Sequence, residues 1–170
     1  TEENVTDNYL SSDDVINVYI SGIDSRGGIN EVSRSDVNII MSINKKTHNI
    51  LMINTPRDYY VPLSISNGVR DKLTHAGVYG IECSRNTLEM LYGIQIDYYV
   101  KVNFSGFEKI IDSLGGVDVT LDYSATLSQA GNLTVHNGVN HFNGEQALAF
   151  ARERYAYSDG DRQRGRNQMR

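Results

Sequence analysis

Runs of apolar and β-branched residues in the first third of the chain predict three strands. They cover Val15–Ile23, Val37–Ile43 and Asn49–Thr55, and the polar residues 44–48 between the last two are typical of a hairpin turn. Similar runs predict three further strands, at Asp97–Asn103, Val117–Leu121 and Leu133–Val135.

Apolar positions spaced three and four residues apart predict helices between these strands. The first helix covers Ser84–Tyr92 and stops before a glycine. The second opens with the capping-box spacing of residues 105–108 and ends at Gly115–Gly116. A third, short helix covers residues 143–150. Because helices and strands interleave, the pattern predicts one α/β domain with a mixed central sheet covered by helices.

Each of the first three predicted strands is flanked by an acid and an arginine. A single loop aspartate is usually a turn former, and a single loop arginine is usually a solvated charge. Three such pairs at strand ends instead favour a site that holds a metal ion and an anion together. The pairs are Asp24 with Arg26, Arg34 with Asp36, and Arg57 with Asp58.

The charge of the chain is unevenly distributed. Its formal net charge is −5, but Arg152–Arg170 contains six arginines and three acids and so carries +3. Subtracting +3 from −5 leaves −8 for residues 1–151. A duplex-binding domain usually has a basic face over its whole length, so these local arginines fit one or two phosphate groups better than nucleic acid.

The spacing of Arg152 and Arg154 suggests a clamp for an anion. In an extended backbone, side chains two residues apart point to the same face, so we expect both guanidinium groups on one strand edge, able to bind one ligand bidentately. A helix from Asp161 onwards would place Asp161, Arg164 and Gln168 on one face. A second face would hold Arg162, Arg166 and Arg170.

Composition and motifs exclude several other classes of protein. With 39% hydrophobic and 22% charged residues, the 170-residue chain has ordinary globular composition, and its apolar runs are far shorter than the roughly 20 residues of a membrane span. The lone Cys83 excludes an intrachain disulfide. Dinucleotide, P-loop and serine-hydrolase motifs are absent from the sequence. A start at Thr1 and a helix that stops at Arg170 lead us to expect a longer parent protein with further C-terminal sequence.

An ordered series of short motifs resembles the LytR-CpsA-Psr family. Each motif alone is common, but eight in the same order make the resemblance specific. They are Gly22–Arg26, Ser33–Asp36, Thr55–Asp58, Asp71–Ala76, Asp97–Val100, Phe104–Phe107, Leu114–Val117 and Ala151–Arg154.

The resemblance implies an extracytoplasmic domain of three α/β/α layers around a mixed central sheet. Residues 15–170 would form this domain after a polar lead-in at 1–14, and an N-terminal helix would anchor the whole protein in the cytoplasmic membrane, facing the cell wall. Family members move anionic glycopolymers (wall teichoic acid, capsular or secondary wall polysaccharide) from a polyprenyl pyrophosphate carrier onto peptidoglycan. The bond formed is a phosphodiester.

The site residues implied by the resemblance can be read onto this chain. Asp24 and Asp36 match the acids associated with a metal ion, and Asp161 matches a further acid that orients an arginine or takes a proton from the incoming hydroxyl. The resemblance therefore implies that the helix face of Asp161, Arg164 and Gln168 turns inward to the phosphate pocket, and that the other face is solvated. Thr55, where serine is common, and the short segment Val61–Val69 depart from the family pattern. The pyrophosphate-binding set is Arg34, Arg57, Lys72, Arg152, Arg154, Arg164 and Gln168, and the catalytic set is Arg57, Arg152, Arg154 and Asp161.

Magnesium, or manganese in its place, is the expected cofactor. Mg²⁺ takes one or two carboxylates and completes its shell with water and substrate oxygens, which fits Asp24 and Asp36, whereas the four histidines lack the paired spacing of a zinc site. One of them, His75, is expected to be a structural hydrogen-bonding residue beside Lys72. Two alternatives stay open at this stage: a polyprenyl-pyrophosphate pyrophosphatase, and a non-catalytic module that binds lipid phosphate for regulation.

Overall fold

The structure is a computed structural model that describes residues 13–25, 28, 32–128, 132–156, 158 and 160–169, with the side chain of Asp161 outside the description. The chain divides into two compact units, Thr1–Val102 and Asn103–Arg170. Each unit is described by itself. Every helix among the described residues falls short of the length and hydrophobicity that a membrane crossing requires.

The first unit is built on a mixed four-stranded sheet. Its elements in chain order are strands β1 (Val15–Ile23), β2 (Ser35–Asn44), β3 (Ile50–Asn54), β4 (Tyr60–Pro62) and β5 (Arg70–Lys72), helix α1 (Leu73–Ala76), the 3₁₀ turn Gly77–Tyr79, helix α2 (Ile81–Tyr92) and strand β6 (Tyr98–Val102). The sheet order is β3-β2-β1-β6, with β1 antiparallel to β2 and parallel to β6. This arrangement confirms the predicted α/β class with a mixed central sheet. The hairpin of β4 and β5 was not predicted.

Alternate residues of β1 point into the core of the first unit. Tyr19 is fully buried, and its hydroxyl donates to Asn38 Oδ1 at 2.7 Å; burial raises its pKa. Asn17 is also buried, and it binds the Gln95 carbonyl through Nδ2 at 2.7 Å. Around these polar groups pack apolar side chains from the sheet and from α1 and α2, namely Ile40, Val61, Leu63, Leu73, Ala76, Cys83, Leu88 and Ile96.

A β-bulge interrupts the pairing of β1 with β2 at Asp36. Gly22 pairs with Val37, but the next residue, Ile23, pairs with Ser35, so Asp36 is an extra residue on β2 that the register of the two strands skips. A bulge twists the strand locally and re-aims the side chain of the extra residue. One of the predicted site acids is therefore placed by an irregularity of the sheet.

The described residues of the second unit form two small antiparallel sheets and three helices. Its elements are α3 (Phe104–Ser113), β7 (Val117–Leu121), β8 (Ala125–Leu127), β9 (Leu133–Val135), β10 (Gly138–Phe142), α4 (Gly144–Arg152) and α5 (Gly160–Gln168). β7 pairs with β10, and β8 pairs with β9. Their core includes Val119, Leu121, Leu127, Val135, Phe142, Ala147 and Phe150.

Caps explain where α3 and α4 begin. The side chain of Asn103 accepts from the backbone N–H of Gly106, so α3 is capped by Asn103 and not by the predicted Ser105. At α4, Asn143 and Gln146 form a reciprocal capping box, as the sequence predicts. This helix continues to Arg152, two residues beyond its predicted end.

Replacing Gly77 by alanine should destabilise the first unit. A Cβ there would lie 2.5 Å from the Ser35 backbone nitrogen and 2.7 Å from the Ser33 carbonyl oxygen, so the segment carrying Arg34 would have to move. We expect a loss of about 1–3 kcal/mol in the free energy of unfolding, measured by urea denaturation. The neighbouring exposed Val78→Ala should change it by less than about 0.5 kcal/mol. Equal stability of both variants would contradict the close approach.

Candidate functional site

An ion pair between Asp36 and Arg57 lies at the centre of the charged residues of the first unit. Arg57 Nη1 is 2.7 Å from Asp36 Oδ2, and both side chains are 22% exposed. Thr74 is buried beside them: its hydroxyl donates to Asp36 Oδ1 at 3.3 Å, and its backbone N–H donates to the Arg57 carbonyl at 2.8 Å. The bulged acid and the arginine are thus held by the same residue of α1.

The turn that carries Arg57 is fixed by buried contacts on its N-terminal side. Thr55 is 2% exposed, and its backbone N–H donates to the Asn38 carbonyl at 2.8 Å. Its hydroxyl lies 2.8 Å from the hydroxyl of Tyr92 at the end of α2. Because contacts with Asn38 of β2 and Tyr92 of α2 both hold Thr55, the position of the turn that carries Arg57 is defined.

Asp58 connects Arg57 to the second predicted phosphate-binding cation of this region. Its carboxylate lies 3.7 Å from Arg57 Nε and 2.8 Å from Lys72 Nζ. Lys72 is opposite Tyr60 in the β4–β5 hairpin, which brings the lysine back beside the Arg57 turn. The result is a row of alternating charge, Asp36, Arg57, Asp58 and Lys72, in which each cation contacts a carboxylate.

Next to this row, Asp71 and His75 form a partly exposed pair. His75 Nδ1 of α1 lies 2.9 Å from Oδ2 of Asp71, four residues earlier in β5. The hydrogen bond with His75, followed by the one from the Lys72 backbone N–H, holds the pKa of the Asp71 carboxyl below its ordinary value. His75 therefore forms a structural hydrogen bond, as expected, and its partner is Asp71.

Asp24 and Arg34 lie at the same end of the sheet and are both exposed. Asp24 directly follows β1, whose last residue Ile23 pairs with Ser35, so the backbone places Asp24 and Asp36 at one end of the β1–β2 pair. The Ser33 hydroxyl donates to the Asp24 carbonyl oxygen at 3.4 Å. Arg26, the partner of Asp24 in the sequence pattern, lies outside the described residues.

Two carboxylates at one strand end suit Mg²⁺ or Mn²⁺ by their chemistry. Such ions accept one or two protein carboxylates and complete their shell with water and phosphate oxygens. Within the described residues, His, Cys, Asp and Glu side chains do not gather in groups of three or more that could hold a metal ion. Asp24 and Asp36 are the residues that would hold it, and Asp36 would do so while paired with Arg57.

In the second unit, the prediction that Arg152 and Arg154 lie together on a strand edge is wrong. Arg152 is the last residue of α4, and its guanidinium carbon lies 4.2 Å from the centre of the Phe104 ring, a cation–π contact. The basic residue suits this position because the C-terminus of a helix carries partial negative charge. Glu153 between the two arginines adopts an extended backbone and is fully buried.

Helix α5 forms where the sequence predicts, but its buried face is a different one. Gln163 and Asn167 are buried, and Gln163 Nε2 donates to Asn167 Oδ1 at 2.9 Å. Tyr123 donates to the same Asn167 oxygen at 3.2 Å. The predicted inward face of Asp161, Arg164 and Gln168 is therefore displaced by one position: Arg164 and Gln168 are half-buried, and the side chain of Asp161 lies outside the description.

Part of the predicted helix pattern is confirmed. Arg162 and Arg166 are exposed, as expected of the solvated face; Arg170 lies outside the described residues. Gln168 donates to the Ala151 carbonyl at 3.2 Å and so contacts the last turn of α4. The roles of Arg164, Gln168 and Asp161 toward a phosphate stay predictions.

Two residues that contact the predicted site residues carry no sign of that role in the sequence. Thr74 lies within one of the family motifs, but only its contacts with Asp36 and Arg57 reveal its role. Glu153 lies between two arginines, and no periodic pattern indicates that its carboxylate is buried. Asp58, which the sequence pairs with Arg57, is found to bind Lys72 as well.

A comparison with protein families and known proteins identifies the chain. The LytR_cpsA_psr family model matches residues 1–170. The chain belongs to the LytR-CpsA-Psr family. Its resemblance in sequence is therefore confirmed over its whole length.

Named relatives and solved structures give the same assignment. Polyisoprenyl-teichoic acid–peptidoglycan teichoic acid transferase TagT of Bacillus subtilis is 36% identical over 165 residues, 92% of this chain and 50% of the relative. The corresponding TagU of Bacillus cereus is 34% identical over 157 residues, 89% of this chain and 48% of the relative. A solved structure of the LytR-CPS2A-psr family protein YwtF (TagT) with bound octaprenyl pyrophosphate lipid has a TM-score of 0.76 and 33% identity, covering 92% of this chain and 61% of that one. The chain spans about half the length of the curated relatives it matches.

Replacing His75 by alanine should raise the pKa of Asp71 towards its ordinary value of about 3.9, because the largest cause of its depression is removed. A carboxyl ¹³C NMR titration measures this. A lowered carboxyl pKa stabilises the fold at pH values above the ordinary pKa, and this contribution is lost as the pH falls through the lowered pKa. The variant should therefore be less stable than the wild type at neutral pH, and the difference should disappear as the pH falls through the lowered pKa of Asp71. His141→Ala, which removes the exposed His141–Asp118 pair, should leave Asp71 unchanged; an equal shift in both variants would contradict the assignment.

Proposed function

We propose that this chain carries the pyrophosphate-binding machinery of a phosphotransferase that moves an anionic glycopolymer from a polyprenyl pyrophosphate carrier onto peptidoglycan. One observation carries this proposal: Arg57 lies between the carboxylates of Asp36 and Asp58, and Asp58 also binds Lys72. Cations oriented by acids before any ligand arrives suit a substrate with two adjacent phosphates. The relatives support the substrate class, since TagT is named as a teichoic acid transferase and was solved with octaprenyl pyrophosphate.

The reaction is a displacement at phosphorus. The oxygen of an acceptor hydroxyl forms a bond to the phosphorus that carries the glycopolymer, and the bond from this phosphorus to the bridging oxygen breaks. Polyprenyl phosphate leaves with the bonding electrons, and the acceptor is joined to the glycopolymer by a phosphodiester. Negative charge grows on the leaving phosphate, and Arg57, Arg152 and Arg154 are the catalytic residues that would neutralise it, with Arg34, Lys72, Arg164 and Gln168 binding the remaining phosphate oxygens.

The proton of the acceptor hydroxyl requires an acceptor of its own. In this proposal Asp161 either orients a clamp arginine or takes that proton as a general base. The two roles predict different transfer rates for the Asp161→Asn variant, which keeps the shape of the side chain but removes its basicity. Most of the rate should remain if Asp161 only orients an arginine, and most should be lost if it is the general base. The reaction takes place outside the cytoplasmic membrane, where the peptidoglycan acceptor is found.

A divalent ion, Mg²⁺ or Mn²⁺, is part of the proposal, with Asp24 and Asp36 as the residues that hold it. When bound, the ion supplies positive charge to the phosphate oxygens and so reduces their repulsion of the incoming nucleophile. Asp36 also keeps Arg57 in position through the 2.7 Å ion pair.

Replacing Arg57 by alanine should lower the rate of glycopolymer transfer roughly 10- to 150-fold, the equivalent of about 1.5–3 kcal/mol of charge-assisted hydrogen bonding. The measurement is the rate at which labelled glycopolymer becomes bound to peptidoglycan from its polyprenyl pyrophosphate form. Arg57→Lys should restore little, because lysine lacks the planar fork. The matched control is Arg85→Ala, which removes an arginine paired with Glu82 at 2.8 Å on α2 and should leave the rate unchanged.

The products of the same assay separate the alternatives. A pyrophosphatase would release free glycopolymer phosphate without any peptidoglycan adduct, and a regulatory module would bind the lipid without turnover. Either outcome for the wild-type protein, or equal rates for Arg57→Ala and Arg85→Ala, would reject the proposed transferase.

Removing the metal should stop transfer more strongly than it weakens lipid binding. We expect chelation with EDTA, or Asp24→Ala or Asp36→Ala, to reduce turnover at least about a hundredfold. The affinity for octaprenyl pyrophosphate, measured by calorimetry, should fall by a smaller factor because the arginines remain. Asp118→Ala, an exposed acid of the second unit, is the control, and thermal melting checks that each variant is folded. Undiminished turnover of Asp36→Ala in EDTA would exclude the metal role.

A further inference from the structure

Glu153 is a fully buried carboxylate between two partly exposed arginines. Its relative exposure is 0%, whereas Arg152 and Arg154 on either side are half-buried. Glutamate is almost never fully buried unless its charge is partnered. The Glu153 carboxylate therefore needs hydrogen-bond partners inside the protein.

The partners of Glu153 are backbone amides of the residues that follow it. Its Oε1 accepts hydrogen bonds from the N–H groups of Arg154 at 2.9 Å, Tyr155 at 2.8 Å and Ala156 at 3.2 Å. The hydroxyl of Ser128, next to the end of β8, lies 3.5 Å from both carboxylate oxygens. Three successive backbone N–H groups make a concavity that binds anions. Here the protein's own carboxylate occupies it.

This contact determines the course of the chain after α4. Helical hydrogen bonding holds the backbone of Arg152, and its side chain lies over the Phe104 ring. Arg154 is beyond the helix, so its backbone direction depends instead on the turn that wraps around the Glu153 side chain. The two arginines are thus held by different means.

We infer that Glu153 is a positioning residue for Arg154: its buried carboxylate fixes the turn from which the Arg154 guanidinium reaches the phosphate. The inference rests on the proposed function, in which Arg154 is one of the catalytic arginines. Glu153 itself does not touch the substrate. Its effect on the reaction passes through the backbone of the next residue.

A double-mutant cycle tests this role. Glu153→Ala in the full chain should reduce glycopolymer transfer about tenfold or more, and Arg154→Ala should do the same. If Glu153 acts through Arg154, the double variant should be no slower than Arg154→Ala alone, within about twofold. Multiplicative losses in the double variant would overturn the inference, because they indicate an independent, purely structural effect.

Conservative variants and a matched control make the test sharper. Glu153→Gln keeps an acceptor oxygen for the amides and should recover most of the rate; equal impairment by glutamine and alanine would also overturn the inference. Glu153→Asp, which shortens the side chain, offers a second cycle with Arg154→Ala if the alanine variant does not fold. Asn143→Ala removes another side chain that accepts a backbone amide, at the opposite end of α4, and should leave transfer unchanged at a temperature well below its melting point.

An NMR measurement separates failure of this inference from failure of the proposed function. In ¹⁵N-labelled protein, Glu153→Ala should shift the amide resonances of Arg154, Tyr155 and Ala156, and Glu153→Gln should shift them less. If the wild-type protein does not transfer glycopolymer, the proposed function fails whatever the spectra show. If it does transfer, and Arg154→Ala is impaired while Glu153→Ala is not, only the positioning role of Glu153 is wrong.

Discussion

Strand β1 determines the arrangement of the first unit, because it pairs with β2 on one side and with β6 on the other. Its buried side chains are largely polar, so each needs a hydrogen-bond partner at a defined place. Asn17 meets this need with Gln95 and Ser42, and Tyr19 does so with Asn38. A slip of one residue would break all of these contacts and turn the strand over. The register that results is the one that brings Asp24 and Asp36 to the same strand end.

An acid contacts an arginine in each unit, but the two contacts differ in physical character: Asp36 and Asp58 bind the Arg57 guanidinium, whereas Glu153 binds the backbone N–H of Arg154. The pairs of Arg57 with Asp36 and Asp58 are partly solvated, and such pairs contribute little to stability, on the order of 0–1 kcal/mol. Their value lies in orientation, since an arginine already held in place loses less entropy when phosphate binds. Glu153 is different, because a buried carboxylate that lost its three amide partners would be strongly destabilising. Rearranging the first set of contacts would therefore cost little free energy, whereas breaking the second would cost much.

Local signals in the sequence were sufficient for most of the fold. The alternation of apolar residues located β1, β2, β3 and β6, and the capping box at Asn143 located the start of α4, because strand period and cap chemistry are properties of the nearest neighbours. The short strands of the β4–β5 hairpin escaped notice. At three residues each they contain too little pattern to read.

The candidate site was predictable in its residue types but less so in its geometry. The prediction that Arg152 and Arg154 form a clamp assumed an extended backbone at both residues. That assumption fails because α4 continues to Arg152. The burial of the polar residues of α5 could not be predicted from the sequence for a related reason. Gln163 and Asn167 turn inward because Tyr123 and the Phe150 carbonyl offer them partners from other elements, and such partners are fixed only once the chain has folded.

The bulge at Asp36 sets the regularity of the sheet against the placement of one carboxylate. A deletion of that one residue would leave Val37 and Ser35 adjacent and allow an uninterrupted ladder between β1 and β2. Sheet formation alone therefore gives no reason to keep the extra residue, and selection for thermal stability would tend to remove it. The extra residue carries the carboxylate that lies 2.7 Å from Arg57 Nη1, at the strand end where the metal ion is proposed to bind. Engineering the domain for stability by regularising its sheet would thus begin by dismantling the proposed site.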